Sequence, residues 1–327
     1  MNSAKIIGLG KYLPPKILTN FDLEKIVDTS DEWITTRTGI KTRHIVEKNT
    51  PASFLAKKAS LQALKRAQIK PKDVELIIVA TITPDCQFPS TACFLQHELK
   101  AYKAACFDIS GACAGFVYAL VCAWNFLKTG FYKNALVVGS EVLSSITDWQ
   151  DRSTCVLFGD GAGAAVLVPS EKEGIMSAYL GSDGSQADLL ILPAGGSRAP
   201  ATYETVKKRL HYIKMKGNEL FRIAVRVMVE SAEKALEKAG LSSQDISYLI
   251  PHQANKRIID AVAKRLGVPQ EKVYVNIEHY GNMSSASTAV ALCEAWEEKR
   301  IKKDDIVVLD AFGGGLVWGS CVIRWRE

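Results

Sequence analysis

Ala63-Leu-Lys-Arg-Ala-Gln-Ile-Lys-Pro-Lys-Asp-Val-Glu-Leu-Ile-Ile78 returns, 172 positions later, as Ala235-Leu-Glu-Lys-Ala-Gly-Leu-Ser-Ser-Gln-Asp-Ile-Ser-Tyr-Leu-Ile250. The same offset places Ala119-Leu120 and Ala123-Trp124 on Ala291-Leu292 and Ala295-Trp296, and Leu136-Val-Val138 on Val308-Leu-Asp310. One constant offset across so many matches points to a duplication, with halves at 1-172 and 173-327. Each copy reads helix, strand, helix, strand, helix, strand, a pattern that predicts an α/β fold with a largely parallel sheet. Glu75 to Thr81 and Asp305 to Ala311 carry unbroken apolar runs, Leu76 to Ala80 and Ile306 to Leu309, rather than alternating, as strands buried on both faces do. A five-layer α/β/α/β/α arrangement about a pseudo-twofold axis fits two such copies.

Outward from the repeat, Phe107-Asp-Ile-Ser-Gly-Ala-Cys-Ala-Gly-Phe116 marks the first half. Ala104 to Ile109 reads as a short buried strand, Ser110 to Ala112 as a tight turn, and Ala114 to Lys128 as a helix. Cys113 then lies at a helix start, where backbone N–H groups favour an anion and a thiol pKa is lowered. Local context leaves two readings open, a nucleophile and a small buried hydrophobe.

With 327 residues, 47% hydrophobic and 23% charged, the chain has an ordinary globular profile. It has no apolar run long enough to span a membrane, and its start is too short and strand-like for a signal peptide. The eight cysteines form no Cys-x-x-Cys pair and no metal-ligand spacing with the five histidines. We therefore expect a reduced, cytoplasmic protein without a metal. A net charge of +6 is compatible with an acidic partner but too dispersed to suggest nucleic acid. Phe158-Gly-Asp-Gly-Ala-Gly163 precedes a strand rather than a helix, so its glycines are expected to serve close packing and not phosphate binding.

Ligands of open α/β sheets bind beyond the carboxyl ends of the strands. Four features fall there or at helix starts: Cys113, His252 in Pro251-His-Gln-Ala-Asn255, Asn282 in His279-Tyr-Gly-Asn-Met-Ser-Ser285, and Phe312-Gly-Gly-Gly-Leu-Val-Trp-Gly319, which follows a strand over Ile306 to Leu309. Together they closely resemble the signatures of the 3-oxoacyl-(acyl-carrier-protein) synthase III family. The likeness runs from Lys5-Ile-Ile-Gly8 and Asp28-Thr-Ser-Asp-Glu-Trp-Ile34 to Trp318-Gly-Ser320. It implies the thiolase-like fold, a homodimer, no cofactor, and acyl-CoA and malonyl-acyl carrier protein as substrates. The implied activity is a decarboxylating Claisen condensation that initiates type II fatty acid synthesis. Cys113 would take the acyl group, because a thiolate is both nucleophile and leaving group toward thioesters. The Cys113 and Gly314 N–H groups would form the oxyanion hole, and each such donor is worth about 3 kcal/mol in the transition state. His252 and Asn282 would donate hydrogen bonds to the enolate left when malonate loses CO2. Asn282, where elongating condensing enzymes carry a second histidine, and the absence of a cysteine within the C-terminal glycines separate this pattern from its relatives and from degradative thiolases.

The resemblance also implies a CoA site of Trp33, Arg37, Thr38 and Arg152, with a pantetheine tunnel lined by Gly217, Phe221, Ala254 and Asn255. Phe88, reaching from a partner subunit, and Phe312 would bound the acyl pocket. Arg222, Arg257 and Lys264, with Lys256 and Arg265 nearby, would dock the acidic carrier protein. The Ser182 to Met215 segment has no repeat partner and carries Pro193, Gly195-Gly196 and Pro200, so it is expected to run over the surface and cover the site; Ser182 to Lys216 also departs from the common family form. Three other readings remain: an acyl transferase using an alcohol, amine or aromatic acceptor, a cysteine hydrolase, and a non-catalytic carrier-binding scaffold.

Overall fold

The computed structural model describes residues 3–172 and 174–326; Met1, Asn2 and Glu327 lie outside the described residues, as does Glu173 at the expected boundary between halves. One sheet runs in the order Ser3–Tyr12, Asp160–Ser170, Ala135–Val142, Leu76–Ala80, Ala105–Ile109. The other runs Ile175–Ser182, Val317–Arg324, Ile306–Gly313, Tyr248–Pro251. Strands that correspond at the offset of 172 hold equivalent places: Ser3–Tyr12 with Ile175–Ser182, and Leu76–Ala80 with Tyr248–Pro251. The counterpart of Ala105–Ile109 shrinks to one parallel bridge, Leu249 to Val273.

The continuously apolar strands are explained by the layers. Leu76, Ile78 and Ala80 pack with the helices Gly115–Lys128 and Ser285–Glu297 between the sheets. Ile77 and Val79 pack outward with Ala52–Ala67 and Thr91–Leu99. Across the molecule, Leu249, Val308 and Val322 pack with Gly217–Lys238 and Lys256–Leu266. This is the five-layer, thiolase-like α/β/α/β/α fold. Each fully buried aliphatic side chain contributes about 1.5–3 kcal/mol, so strands with both faces covered dominate the stability.

Three expectations are corrected. The sheets are mixed, not largely parallel. Leu76–Ala80 runs parallel to both its neighbours and Tyr248–Pro251 to Ile306–Gly313, but the remaining ladders are antiparallel. The cause is that the last strand of each half returns as a neighbour of the one before it. Ala105–Ile109 is not buried: it is the last strand of its sheet, with Ala105 exposed and the other four residues half-buried. The strand expected to end at Leu309 or Ala311 continues through Phe312 to Gly313, so the glycine triplet opens a hairpin corner.

The Gly159, Gly161 and Gly163 positions serve close packing, as expected. A Cβ on Gly163 would stand 2.5 Å from Ala289 Cβ, and one on Gly159 would stand 2.4 Å from the Tyr280 carbonyl. These contacts seat the Asp160–Ser170 strand directly on the Ser285–Glu297 helix and the turn before it.

Candidate active site

The Gly115–Lys128 helix is preceded by a single tight turn, Ala112–Ala114, that carries Cys113 out of the Ala105–Ile109 strand. Gly313 packs on that turn; a Cβ there would lie 2.6 Å from the Cys113 nitrogen. The sulfur thus sits where the first half's helix start meets the second half's hairpin corner.

His252 ends the Tyr248–Pro251 strand, and its N–H donates to the Asp310 carbonyl at 2.7 Å. The neighbouring Gln253 fixes the local path: Nε2 donates to the Pro251 and Tyr274 carbonyls, and Oε1 accepts from the Asn276 N–H at 2.9 Å. The imidazole is 2% exposed, and neither ring nitrogen has a hydrogen-bond partner. Asn282 is held by its backbone, donating to the Leu157 carbonyl at 2.8 Å and accepting from the Gly159 N–H at 3.0 Å. Its Oδ1 accepts the Ser284 N–H at 2.8 Å, which leaves the NH2 end as the free donor of the amide.

Two cavities meet at the sulfur. One, of about 480 Å3, is lined by Cys113, His252 and Asn282 and extends past Phe312, Gly217 and Phe221. Trp33, Arg37, Thr38, Ala254, Asn255, Arg222 and Arg257 line the same cavity. The other, of about 400 Å3, lies on the far side of Cys113 and Asn282 and is walled mainly by aliphatic and aromatic side chains such as Ile82, Leu143, Ile146, Phe158, Leu190 and Ile213. Gly314 lines this second cavity.

Burial sets the electrostatics. It pushes the Cys113 thiol up to about 12, with the adjacent Ser284 hydroxyl acting in the opposite direction. It pushes His252 down to about 3. The expectation of a lowered thiol pKa is therefore reversed: the desolvation of a buried sulfur outweighs the helix start. Both groups are neutral near pH 7, a thiol and an imidazole with one N–H and one lone pair.

The remaining expected site residues fall as follows. Arg152 does not line the cavity; its guanidinium lies 5.1 Å from the Trp33 ring centroid, its Nη1 donates to the Asp28 carbonyl at 3.0 Å, and Arg37 lies 5.5 Å from the same ring. Asn255 caps the Lys256–Leu266 helix and donates to the Arg37 carbonyl at 3.0 Å, tying the two rims together. Arg257 lies 5.5 Å from the Phe221 ring. Lys264 and Arg265 are exposed further along that helix and line neither cavity, while Lys256 is paired with Asp260 at 2.6 Å. Phe88 is 88% exposed and lines neither cavity of its own chain.

The Ser182 to Met215 excursion does cover the site. Leu190–Ile191 pairs with Lys214–Met215, and Leu190 and Met215 line both cavities. Arg209 and Lys214 anchor it to Asp148, whose carboxyl Arg209 holds down to about 2. Two features escaped the sequence. The aliphatic wall of Leu143, Ile146 and Ile213 is scattered across distant segments, although Leu189-Leu-Ile-Leu192 is a visible apolar run within the excursion. The other is Glu141, an acidic residue near the end of a strand whose one other polar side chain is Ser140, which is conspicuous in composition but silent about what it touches. Among the described residues no cluster of side chains could hold a metal, and no helix is long and apolar enough to cross a membrane.

Comparisons with known proteins converge on one family. Models described as 3-Oxoacyl-[acyl-carrier-protein (ACP)] synthase III and as its C-terminal part match residues 107–184 and 236–325. The chain is 57% identical over 326 residues to a beta-ketoacyl-[acyl-carrier-protein] synthase III of Caldanaerobacter subterraneus subsp. tengcongensis, covering 99% of this chain and 98% of the relative. A crystal structure of 3-oxoacyl-[acyl-carrier-protein] synthase III from Aquifex aeolicus VF5 is similar at a TM-score of 0.91 and 51% identity, covering 98% of this chain and 100% of that one. The corresponding enzyme of Pseudomonas aeruginosa PAO1 is similar at 0.92 and 39% identity, covering 100% and 99%.

Proposed function

The chain belongs to the 3-oxoacyl-(acyl-carrier-protein) synthase III family, and from that membership we propose a division of labour among Cys113, His252 and Asn282. The enzyme is an acyltransferase that condenses acetyl-CoA with malonyl-acyl carrier protein, releasing CoA and CO2, at the start of fatty acid synthesis. In the reading proposed here, the Cys113 sulfur attacks the acetyl thioester; the proton it loses ends on the departing CoA sulfur, so the step is balanced without an added acid or base. The oxyanion is met by the Cys113 and Gly314 N–H groups. Malonyl-carrier protein then enters the same shaft and loses CO2. The resulting enolate is stabilised by one N–H from neutral His252 and by the Asn282 NH2; its carbon attacks the carbonyl of acyl-Cys113, forming the new C–C bond of the 3-oxoacyl-carrier product and breaking the C–S bond, and the released Cys113 sulfur takes a proton from water.

The observation that carries this reading is the unpartnered, buried imidazole sharing a cavity with a sulfur and a donor amide. A buried polar group left without a partner is costly, and a substrate that supplies one is bound by that deficit. In this reading 1-172 donates the nucleophile and 173-327 the two donors. The cavity past Trp33, Arg37 and Thr38 would hold the CoA arm, with Arg152 bracing Trp33 and with Gly217, Phe221, Ala254 and Asn255 along the tunnel. The aliphatic cavity would take the acyl chain, with Phe312 on the tunnel side. Arg222, Arg257 and Lys264 would meet the acidic carrier. No cofactor enters this chemistry. The half-exposed Ala105–Ile109 edge supports a homodimer, because an unpaired edge strand is a template for pairing with a second copy. Such a dimer would bring a partner's Phe88 to the acyl pocket. Eight free cysteines support a reducing, cytoplasmic setting.

The test is acylation itself. Incubation with labelled acetyl-CoA should place one acetyl group on the peptide containing Cys113, and Cys113→Ser should abolish it. Label on another residue, or label that survives the substitution, would overturn the assignment.

A further inference from the structure

The division of labour above gives Glu141 no task, yet this carboxyl is fully buried beside the sulfur's turn. It belongs to the Ala135–Val142 strand of one half. Its Oε2 accepts from Thr83 Oγ1 at 2.8 Å, the Ile82 N–H at 3.1 Å and Thr81 Oγ1 at 3.2 Å. Its Oε1 reaches into the other half, 2.9 Å from Ser285 Oγ and 3.4 Å from the Ser285 nitrogen. The same strand presses on that residue's backbone, since a Cβ on Gly139 would lie 2.6 Å from the Ser285 carbonyl.

Ser285 opens the Ser285–Glu297 helix, and Ser284 before it is left-handed at φ 47°. A non-glycine residue keeps that conformation only where its surroundings impose it. The Ser284 N–H so presented is the one that occupies Asn282 Oδ1 at 2.8 Å. The contacts therefore form one chain: Glu141 to Ser285, Ser285 to the strained Ser284, and Ser284 to Asn282.

Ser285 Oγ lies 2.8 Å from the Ala80 carbonyl as well as 2.9 Å from Glu141. A hydroxyl has one proton, so if it is given to Ala80, the contact with Glu141 must be filled by a proton on the carboxyl. Burial, which pushes Glu141 up, favours the same protonated acid.

We propose that Glu141 is a positioning residue: by clamping Ser285 it holds the Ser284 turn, and through it aims the Asn282 amide at the enolate. The proposal rests on the enolate-donor role given to Asn282 above. No bond is made or broken at Glu141.

The test compares Glu141→Ala, Glu141→Gln and Ser285→Ala in the full-length enzyme, measuring acetyl transfer from acetyl-CoA to Cys113 and CO2 release from malonyl-carrier protein. A misplacement of about 1 Å costs about 100-fold, so Glu141→Ala should slow CO2 release by that order with KM nearly unchanged, and Ser285→Ala by about 10-fold. Acetyl transfer should stay within about threefold in all three, because Asn282 takes no part in it. Glutamine reproduces a protonated acid, one acceptor and one donor, so Glu141→Gln should keep both rates within about threefold. Equal loss in both half-reactions would mark Glu141 as a general structural residue. Undiminished CO2 release in Glu141→Ala, or in Ser285→Ala should the former not fold, would overturn the proposal, as would a Glu141→Gln enzyme as impaired as Glu141→Ala. A wild-type enzyme that takes up acetyl but releases no CO2 would sink the parent reading instead.

Discussion

At Cys113 two effects compete. The helix start favours a thiolate, and enclosure disfavours any charge; enclosure wins, leaving the thiol near 12 and its neighbour His252 near 3. The resting site therefore holds no ion pair. A pH series of iodoacetamide alkylation checks this. Reaction at Cys113 should rise about tenfold per pH unit from 7 to 10 without levelling, because only the thiolate reacts; a plateau near pH 8 would show a stabilised thiolate. His252 responds to the same enclosure. Its folded pKa is depressed, so the unfolded chain binds the extra proton between about pH 6.5 and 3, and the neutral imidazole's contribution to stability fades as pH falls through that window. Cys113, His252 and Asn282 were all legible as letters, because each sits in a short distinctive string, at a strand end for Cys113 and His252 and just before a helix for Asn282. Their ionisation states were not, because burial is a property of the assembled layers. Glu141 was illegible for a related reason: its contact with Ser285 spans 144 positions, and no local pattern reports it.

Among elements, the Asp160–Ser170 strand shows how packing distance is written in glycine. Its Gly163 meets Ala289 backbone as well as side chain, with a Cβ predicted 2.7 Å from the Ala289 carbonyl carbon, so no flexible group can yield. Gly163→Ala should cost about 1–3 kcal/mol by overpacking, visible as a lowered denaturant midpoint with an unchanged slope; a neutral result would mean that the strand and helix can separate without penalty. The glycines of this strand were readable as packing residues because a strand, not a helix, follows them. Strand direction was not readable. Helix–strand alternation implied parallel ladders, but the hairpin at Gly313 to Val317 and the antiparallel Asp160–Ser170 strand are set by which neighbour each strand returns beside. The edge position of Ala105–Ile109 was hidden likewise, since a short, mostly apolar run reads the same at the rim of a sheet as in its middle.

Across the whole molecule, duplication is what brings the chemistry together. Two copies stacked through their central helices put the strand ends of both halves around one hollow, with the sulfur at the corner between a tunnel and an aliphatic chamber. The offset of 172 made that architecture visible in the letters; the excursion that roofs the chamber, being unduplicated, contributed only its apolar run. The proposed mechanism separates the tasks: Cys113 alone accepts the acetyl group, while His252 and Asn282 act after it. The most direct measurement is the pair of half-reactions in His252→Ala and Asn282→Ala, read as acetyl label on Cys113 and as CO2 from malonyl-carrier protein. Loss of a preorganised donor typically costs 10²–10³-fold, so each variant should accept acetyl at close to the wild-type rate and release CO2 at least about 100-fold more slowly. Variants that lose acetyl transfer as severely as CO2 release would contradict it.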